Sequence, residues 1–387
     1  MSGGKGAMIL LGILLFFTLS LSPVSGDYPT FIQKARECFE SGRHQECDSL
    51  LTELRSLKLK RLQRRKVCTL WLDNTYHTGR HAEFLNVLNS KYVKRNLDRS
   101  DYEYWINVSK IPPMDVIWPD KTEQLPLRTI GPRGHSLYGV DVMVNGTPLL
   151  GMIDNCCCNY CSISTELAER LGVRPIGKTI RFNGNRRSKA FIGVVDSLSL
   201  GNLIVRNVLV DVSDHLTAVR ETHALDIIIG GNVLRRVGDM TIDNEAGTVS
   251  FSNKTLGLPQ NVFWTYEGHE YYVKGVLNDH PVTMLFDTGN TNTIMSGRYL
   301  DRFPSDNTYR EGTLTVTQVD RTWETKVYVI DRAGFELCGE ACELFDVSIL
   351  LEGSGAKRFD GNLGVDVLRQ FKTIIFNANK LYLQLNK

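Results

Sequence analysis

An internal duplication constrains this chain more than any other feature. Leu149-Leu150-Gly151-Met152-Ile153-Asp154 in one half is echoed in the other by Val282-Thr283-Met284-Leu285-Phe286-Asp287. A second pair of landmarks keeps the same offset to within one position. Ile229-Gly230-Gly231-Asn232-Val233-Leu234-Arg235 answers Leu363-Gly364-Val365-Asp366-Val367-Leu368-Arg369, so Gly230 and Gly364 stand in register much as Asp154 and Asp287 do. Gly134-His135 and Gly268-His269 open the two copies, and strand-like segments at 248–251 and 381–385 close them. From Gly134 onward the texture is short apolar runs rich in Val, Ile, Phe and Tyr, broken by Gly, Asn and Asp turns, the pattern of β-structure. The expected fold is mainly β, as two similar lobes about a pseudo-two-fold axis, with an α-helical hairpin region in front.

That leading region, residues 27–110, recurs at helical spacing: Phe31, Ala35 and Phe39, then Leu50, Leu51, Leu54 and Leu57. Ser41-Gly42-Arg43-His44-Gln45-Glu46 is repeated as Thr78-Gly79-Arg80-His81-Ala82-Glu83, an interval that fits one helical hairpin per copy with a Gly ending each first helix. The stretch resembles tetratricopeptide-type repeats. Two copies are too few for a free-standing solenoid, so it is expected to lean on the next domain and to offer a surface for a protein partner or a restriction on cleft access. Five prolines between 112 and 132 forbid continuous helix, and 111–133 reads as a linker. The lobes are then expected at 134–257 and 258–387.

Residues 1–26 carry Lys5, an apolar stretch from Ala7 to Leu21 and small residues before Asp27, the organisation of a secretory signal peptide. The expectation is an exported protein, periplasmic or secreted, with a membrane anchor formed by residues 7–21 as the alternative. The formal net charge of +2, with 45 basic against 43 acidic residues, gives no reason to expect a nucleic-acid partner.

Asp287-Thr288-Gly289 follows an apolar strand, and the Gly364 element lies further downstream, as Gly230 does after Asp154. This combination resembles the aspartic peptidases, most closely the retropepsin-like group with two lobes fused in one chain, as in exported bacterial aspartyl proteases. The resemblance spans about 134–387 and implies one catalytic Asp per lobe, Asp154 and Asp287. It implies Thr288 and Gly289, with Asn155 in the first lobe, as supports of the dyad, and Gly230 and Gly364 as glycines of strands crossing beneath the catalytic loops. It further implies a peptide or protein substrate, no cofactor and no metal, and no dimer to complete the site. Two carboxylates about 3 Å apart share one proton, so one serves as acid and the other as base.

The first lobe departs from the pattern, reading Asp154-Asn155-Cys156 where the family has Asp-Thr/Ser-Gly. Cys156 places a side chain where the family has Gly and is expected to tilt or separate the dyad. The competing reading is therefore a catalytically impaired peptide-binding module; a third makes the helical segment the functional part. Among the nine cysteines, Cys156-Cys157-Cys158 with Cys161 has one zinc-like spacing and no second pair. Buried small side chains or a local disulfide are favoured there. Cys338 and Cys342 flank a turn and are a candidate hairpin disulfide. Arg181, Asn185, Arg186 and Arg187 fall on the expected cleft hairpin, where solvated charge is favoured over substrate contact. His135 and His269 repeat between lobes, as duplication alone requires.

Overall fold

The computed structural model describes residues 27–131, 137–157, 159–183, 186–213, 225–266, 269–304, 309–318, 321–351 and 358–387. Residues 1–26, Gly134, His135, Cys158, Asn185 and Gly268 lie outside them, and Arg181, Arg186 and Arg187 are placed by backbone alone.

The chain begins with six helices: α1 (Tyr28–Glu40), α2 (His44–Ser56), α3 (Arg61–Tyr76), α4 (His81–Asn89), α5 (Lys91–Asn96) and α6 (Arg99–Ser109). The side chain of Asp27 caps α1 by accepting from the Thr30 amide at 3.3 Å. Phe31, Ile32, Ala35, Cys38 and Phe39 form the buried stripe of that helix. The two repeated turns close alike. Gly42 (φ 67°) and Gly79 (φ 77°) are left-handed, and the following amides of Arg43 and Arg80 reach back to Cys38 O (2.8 Å) and Thr75 O (3.0 Å). That six-to-one bond satisfies carbonyls that the helix end would orphan. Phe39 stacks on Trp264 at 4.8 Å between ring centroids, Glu40 pairs with Arg358, and Tyr104 hydrogen-bonds Tyr160. The helical region thus packs against both halves of the β-region.

The first lobe contains β2 (Gln124–Ile130), β3 (Leu137–Val144), β4 (Thr147–Ile153), β5 (Cys161–Ile163), α7 (Thr165–Arg170), β6 (Arg174–Asn183), β7 (Arg186–Leu200), β8 (Leu203–Val212), β9 (Ile227–Ile229), α8 (Gly231–Leu234), β10 (Asp239–Asp243) and β11 (Thr248–Ser252). The second contains β12 (Val262–Trp264), β13 (Tyr271–Leu277), β14 (His280–Phe286), β15 (Ile294–Ser296), α9 (Gly297–Arg302), β16 (Arg310–Gln318), β17 (Arg321–Leu337), β18 (Glu340–Leu350), β19 (Gly361–Leu363), α10 (Val365–Leu368), β20 (Thr373–Asn377) and β21 (Tyr382–Asn386). The copies share their central pairings. β4 runs parallel to β9 and β14 to β19, while β5 runs parallel to β8 and β15 to β18. The lobes are joined by an antiparallel β10–β20 pair, Met240 opposite Phe376 and Asp243 opposite Thr373. The fold is therefore mainly β, with two sheets behind a helical region.

Two expectations need correction. The proline-rich 111–133 stretch is more than a linker: β1 (Asp115–Ile117) pairs with β8, and β2 pairs with β11 through 124–126 and with β3 through 127–130. Pro126, which lacks a donor, stands where β2 passes from one neighbour to the other. Cys338 and Cys342 are free thiols rather than a bridge. Cys338 occupies a two-residue turn at φ 54°, where its sulfur accepts from Asn261 Nδ2 at 3.4 Å, while Cys342 sits on β18 opposite Phe335.

Candidate active site

Each candidate Asp leaves the end of an apolar strand and is held by the strand paralleling it. Asp154 donates its amide to Ile229 O and Asp287 donates its amide to Leu363 O, both at 3.1 Å. The loops then curl over the glycine elements. The Gly231 amide donates to Cys157 O and the Val365 amide to Asn290 O, both at 2.9 Å. A Cβ on Gly230 would stand 2.1 Å from Tyr160 O, and one on Gly364 would stand 2.6 Å from the carbonyl carbon of Asn292. Backbone therefore crosses backbone at a separation that only glycine permits.

The loops interlock across the pseudo-two-fold axis. The Asn155 amide donates to Thr288 Oγ1 at 3.1 Å, and the Thr288 amide donates to Asn155 Oδ1 at 2.8 Å. Thr288 Oγ1 also donates to Ile153 O, 3.0 Å away. Asn155 does not return that last bond. Its Nδ2 is buried with no partner among the described residues, and the Cys156 thiol donates instead to Phe286 O at 3.3 Å. The expected steric intrusion by Cys156 is thus absorbed: its sulfur occupies the role a Thr hydroxyl plays in the other loop. Asp154 meanwhile lies against Gly289, where a Cβ would stand 2.5 Å from the Asp154 Cγ. The thiols near this loop each have their own polar contact, with Cys157 Sγ to Tyr160 O at 3.1 Å and Cys161 Sγ accepting from the Gly230 amide at 3.5 Å.

The two carboxyls are unequal. Burial raises the pKa of Asp154 strongly and the neighbouring Asp287 charge raises it further, against the opposing bonds from the Cys157 and Cys156 amides (3.0 and 2.8 Å). Burial also raises Asp287. Its ionised form is favoured by Asn362 Nδ2 (3.1 Å) and the Gly289 amide (2.9 Å). Asp154, raised by burial and by the Asp287 charge together, is the carboxyl that keeps a proton more readily.

Three features here were missed in the sequence. Asn362, on the strand beneath the second loop, bonds Oδ2 of Asp287; its first-lobe counterpart is the apolar Ile228. Asp226 and Asp360 are a symmetric pair of buttresses, accepting from the Leu150 amide (3.0 Å) and the Thr283 amide (2.8 Å) on the strands that lead to Asp154 and Asp287. Both precede the glycine elements by the same interval, a recurrence the duplication contained. Finally, the loop after Asp154 is one position longer than the loop after Asp287. The side chain receiving the crossing glycine amide is Cys161 in the lobe of Asp154 and Thr293 in the lobe of Asp287.

Among known proteins, residues 140–233 match the aspartyl protease family model, so that part of the chain is similar to an aspartyl protease. The basic 7S globulin from soybean aligns at 10% identity, over 69% of this chain and 95% of that one, with a TM-score of 0.40. Conglutin gamma from lupine seeds aligns at 9% identity, over 69% and 95%, with a TM-score of 0.41. A retropepsin-like aspartic protease from Rickettsia conorii aligns at 16% identity, over 35% and 96%, with a TM-score of 0.24. No curated protein matches the chain. Among the described residues no helix is long and apolar enough to cross a membrane.

Proposed function

We propose that the protein is an aspartic-type endopeptidase in which Asp154 and Asp287 activate water against a peptide bond. The observation that carries this is the reciprocal Asn155–Thr288 exchange, which clamps the two Asp-bearing loops together at their first residue past each carboxyl. Asp287, favoured in its ionised form by Asn362, takes a proton from a water held between the carboxyls. Asp154 gives its proton to the peptide carbonyl oxygen, the water oxygen bonds the carbonyl carbon, and a tetrahedral diol results with no covalent enzyme adduct. Breakdown returns a proton to the amine as the C–N bond breaks. The substrate on this reading is a peptide or protein met after export, consistent with the N-terminal segment.

A binding cleft without hydrolysis is the second reading, and the unpartnered Nδ2 of Asn155 favours it, because a Thr in that place would leave no such orphan. Digestion of a mixed peptide library separates the two. The peptidase reading expects cleavage by the parent and none by Asp287→Asn or Asp154→Asn. A folded parent that binds peptides and cleaves none, from about pH 3 to about pH 8, would leave only the binding cleft.

A further inference from the structure

Away from the dyad, Asp73, His77 and His269 bring one ligand atom each to within 4.8 Å of one another. Asp73, on α3, and His77, at its C-terminal cap, stand one turn apart, so their side chains leave the same helix face. His269 comes from the second lobe, just before β13, where its carbonyl is held by the Trp264 indole N–H at 2.6 Å. The imidazoles face one another at 4.7 Å between centroids, beside Trp264. Two details call for a further occupant. Nε2 of His269 is buried and has no hydrogen-bond partner among the described residues. Asp73 Oδ1 and His77 Nε2 are 3.7 Å apart, too far for a hydrogen bond. Two ligands on one zinc ion, each bound at about 2.0–2.2 Å in a tetrahedral arrangement, stand about 3.4 Å apart.

We propose that Asp73, His77 and His269 bind a divalent transition-metal ion of the zinc class, clipping α3 to the second lobe. Two imidazoles and one carboxylate suit such an ion rather than calcium or magnesium, which take oxygen ligands. The ion supplies the missing partner of His269 and adds a link between α3 and the second lobe. Arg235 and Arg236 are the charges that oppose it, the Arg235 guanidinium lying 3.4 Å from Nδ1 of His77 and over the Trp264 ring. Metal on Nε2 leaves the proton on Nδ1, so loading breaks that long contact. The Asp73 carboxylate offsets the arginine charge, which makes Asp73 as necessary as the histidines.

The test is titration of the chelator-stripped full chain with Co²⁺, followed by Zn²⁺. One equivalent of Co²⁺ is expected to give a visible ligand-field spectrum without thiolate-to-cobalt charge transfer, and Zn²⁺ is expected to bleach it. Asp73→Asn and His269→Gln are each expected to weaken binding at least about tenfold. Absence of saturable binding by the parent, a thiolate band marking cysteines as the ligands, or unchanged affinity in both folded variants would overturn the proposal. The parent's spectrum decides even if a variant fails to fold.

Discussion

The thiol of Cys156 donates to Phe286 O at 3.3 Å, and across the axis the hydroxyl of Thr288 donates to Ile153 O at 3.0 Å. The accepting carbonyls belong to the residues just before Asp287 and Asp154, so the bonds are equivalents made by side chains at non-equivalent positions. One loop uses its second residue for both the reciprocal exchange and the carbonyl. The other divides these tasks between Asn155 and Cys156.

This division predicts how the loop responds to substitution. Cys156→Ser keeps a donor toward Phe286 O and is expected to retain peptidase activity within a few-fold. Cys156→Ala leaves that carbonyl unserved and is expected to lower stability by about 1–3 kcal/mol, with activity falling alongside. Urea unfolding paired with steady-state kinetics on the same preparations checks both.

Much of this site was legible in the sequence because duplication writes each feature twice. Asp154 with Asp287 and Gly230 with Gly364 stood out by their offsets alone. Features that break the symmetry were hidden for the same reason. Asn362 stands opposite an apolar Ile228 in the other copy, so the duplication gave no hint that its amide meets Asp287. Cys156 reads as a steric intruder because sequence position cannot show which carbonyl a sulfur faces. Pro126 disguised β2, since a proline in a strand is tolerated only where no donor is needed, and that depends on the neighbours. Cys338 and Cys342 had the spacing of a bridge, but a left-handed turn residue turns the first thiol toward Asn261. His269 looked like an echo of His135, and nothing local to it announced a meeting with α3.

On the peptidase reading, Asn362 is expected to set the acid limb of the pH profile. Its bond to Asp287 favours the ionised base, so replacing it by the first-lobe residue, Asn362→Ile, removes a donor and lets burial raise Asp287 further. The ionised base is then present only at higher pH. A hydrogen bond to a charged group is worth about 1.5–3 kcal/mol, which corresponds to an upward shift of about one to two pH units in the acid limb of kcat/KM. The profile measured on parent and variant gives the answer, and an unmoved limb would detach Asn362 from the base.

Asp154 also makes stability depend on pH. A carboxyl whose folded pKa lies above its unfolded value binds its proton more tightly in the native state, so its contribution is greatest below about pH 4 and declines as pH rises through the folded pKa. Asp154→Asn removes that decline. The variant is expected to gain stability over the parent progressively between mildly acidic and slightly alkaline pH, with the two nearly equal in acid. Denaturant unfolding at a series of pH values measures the difference, and a constant offset would contradict the assignment of the proton.

Gly230→Ala tests the crossing beneath the first loop. A methyl 2.1 Å from Tyr160 O has to displace backbone rather than a flexible side chain. The expected cost is about 3 kcal/mol, with lost activity even where the variant still folds. Calorimetry gives the first quantity and peptide hydrolysis the second; a variant as stable as the parent would mean that the loops do not sit over these strands as described.

The central claim is that Asp154 and Asp287 act as one proton-sharing unit. Its most direct test is the kcat of the parent, Asp154→Asn, Asp287→Asn and the double variant on one cleaved peptide. Each single substitution is expected to reduce kcat by at least about 10²–10⁴-fold, and the double variant to be no slower than the worse single, as groups acting together require. Losses that multiply in the double variant, or a single variant that keeps its rate, would contradict the account.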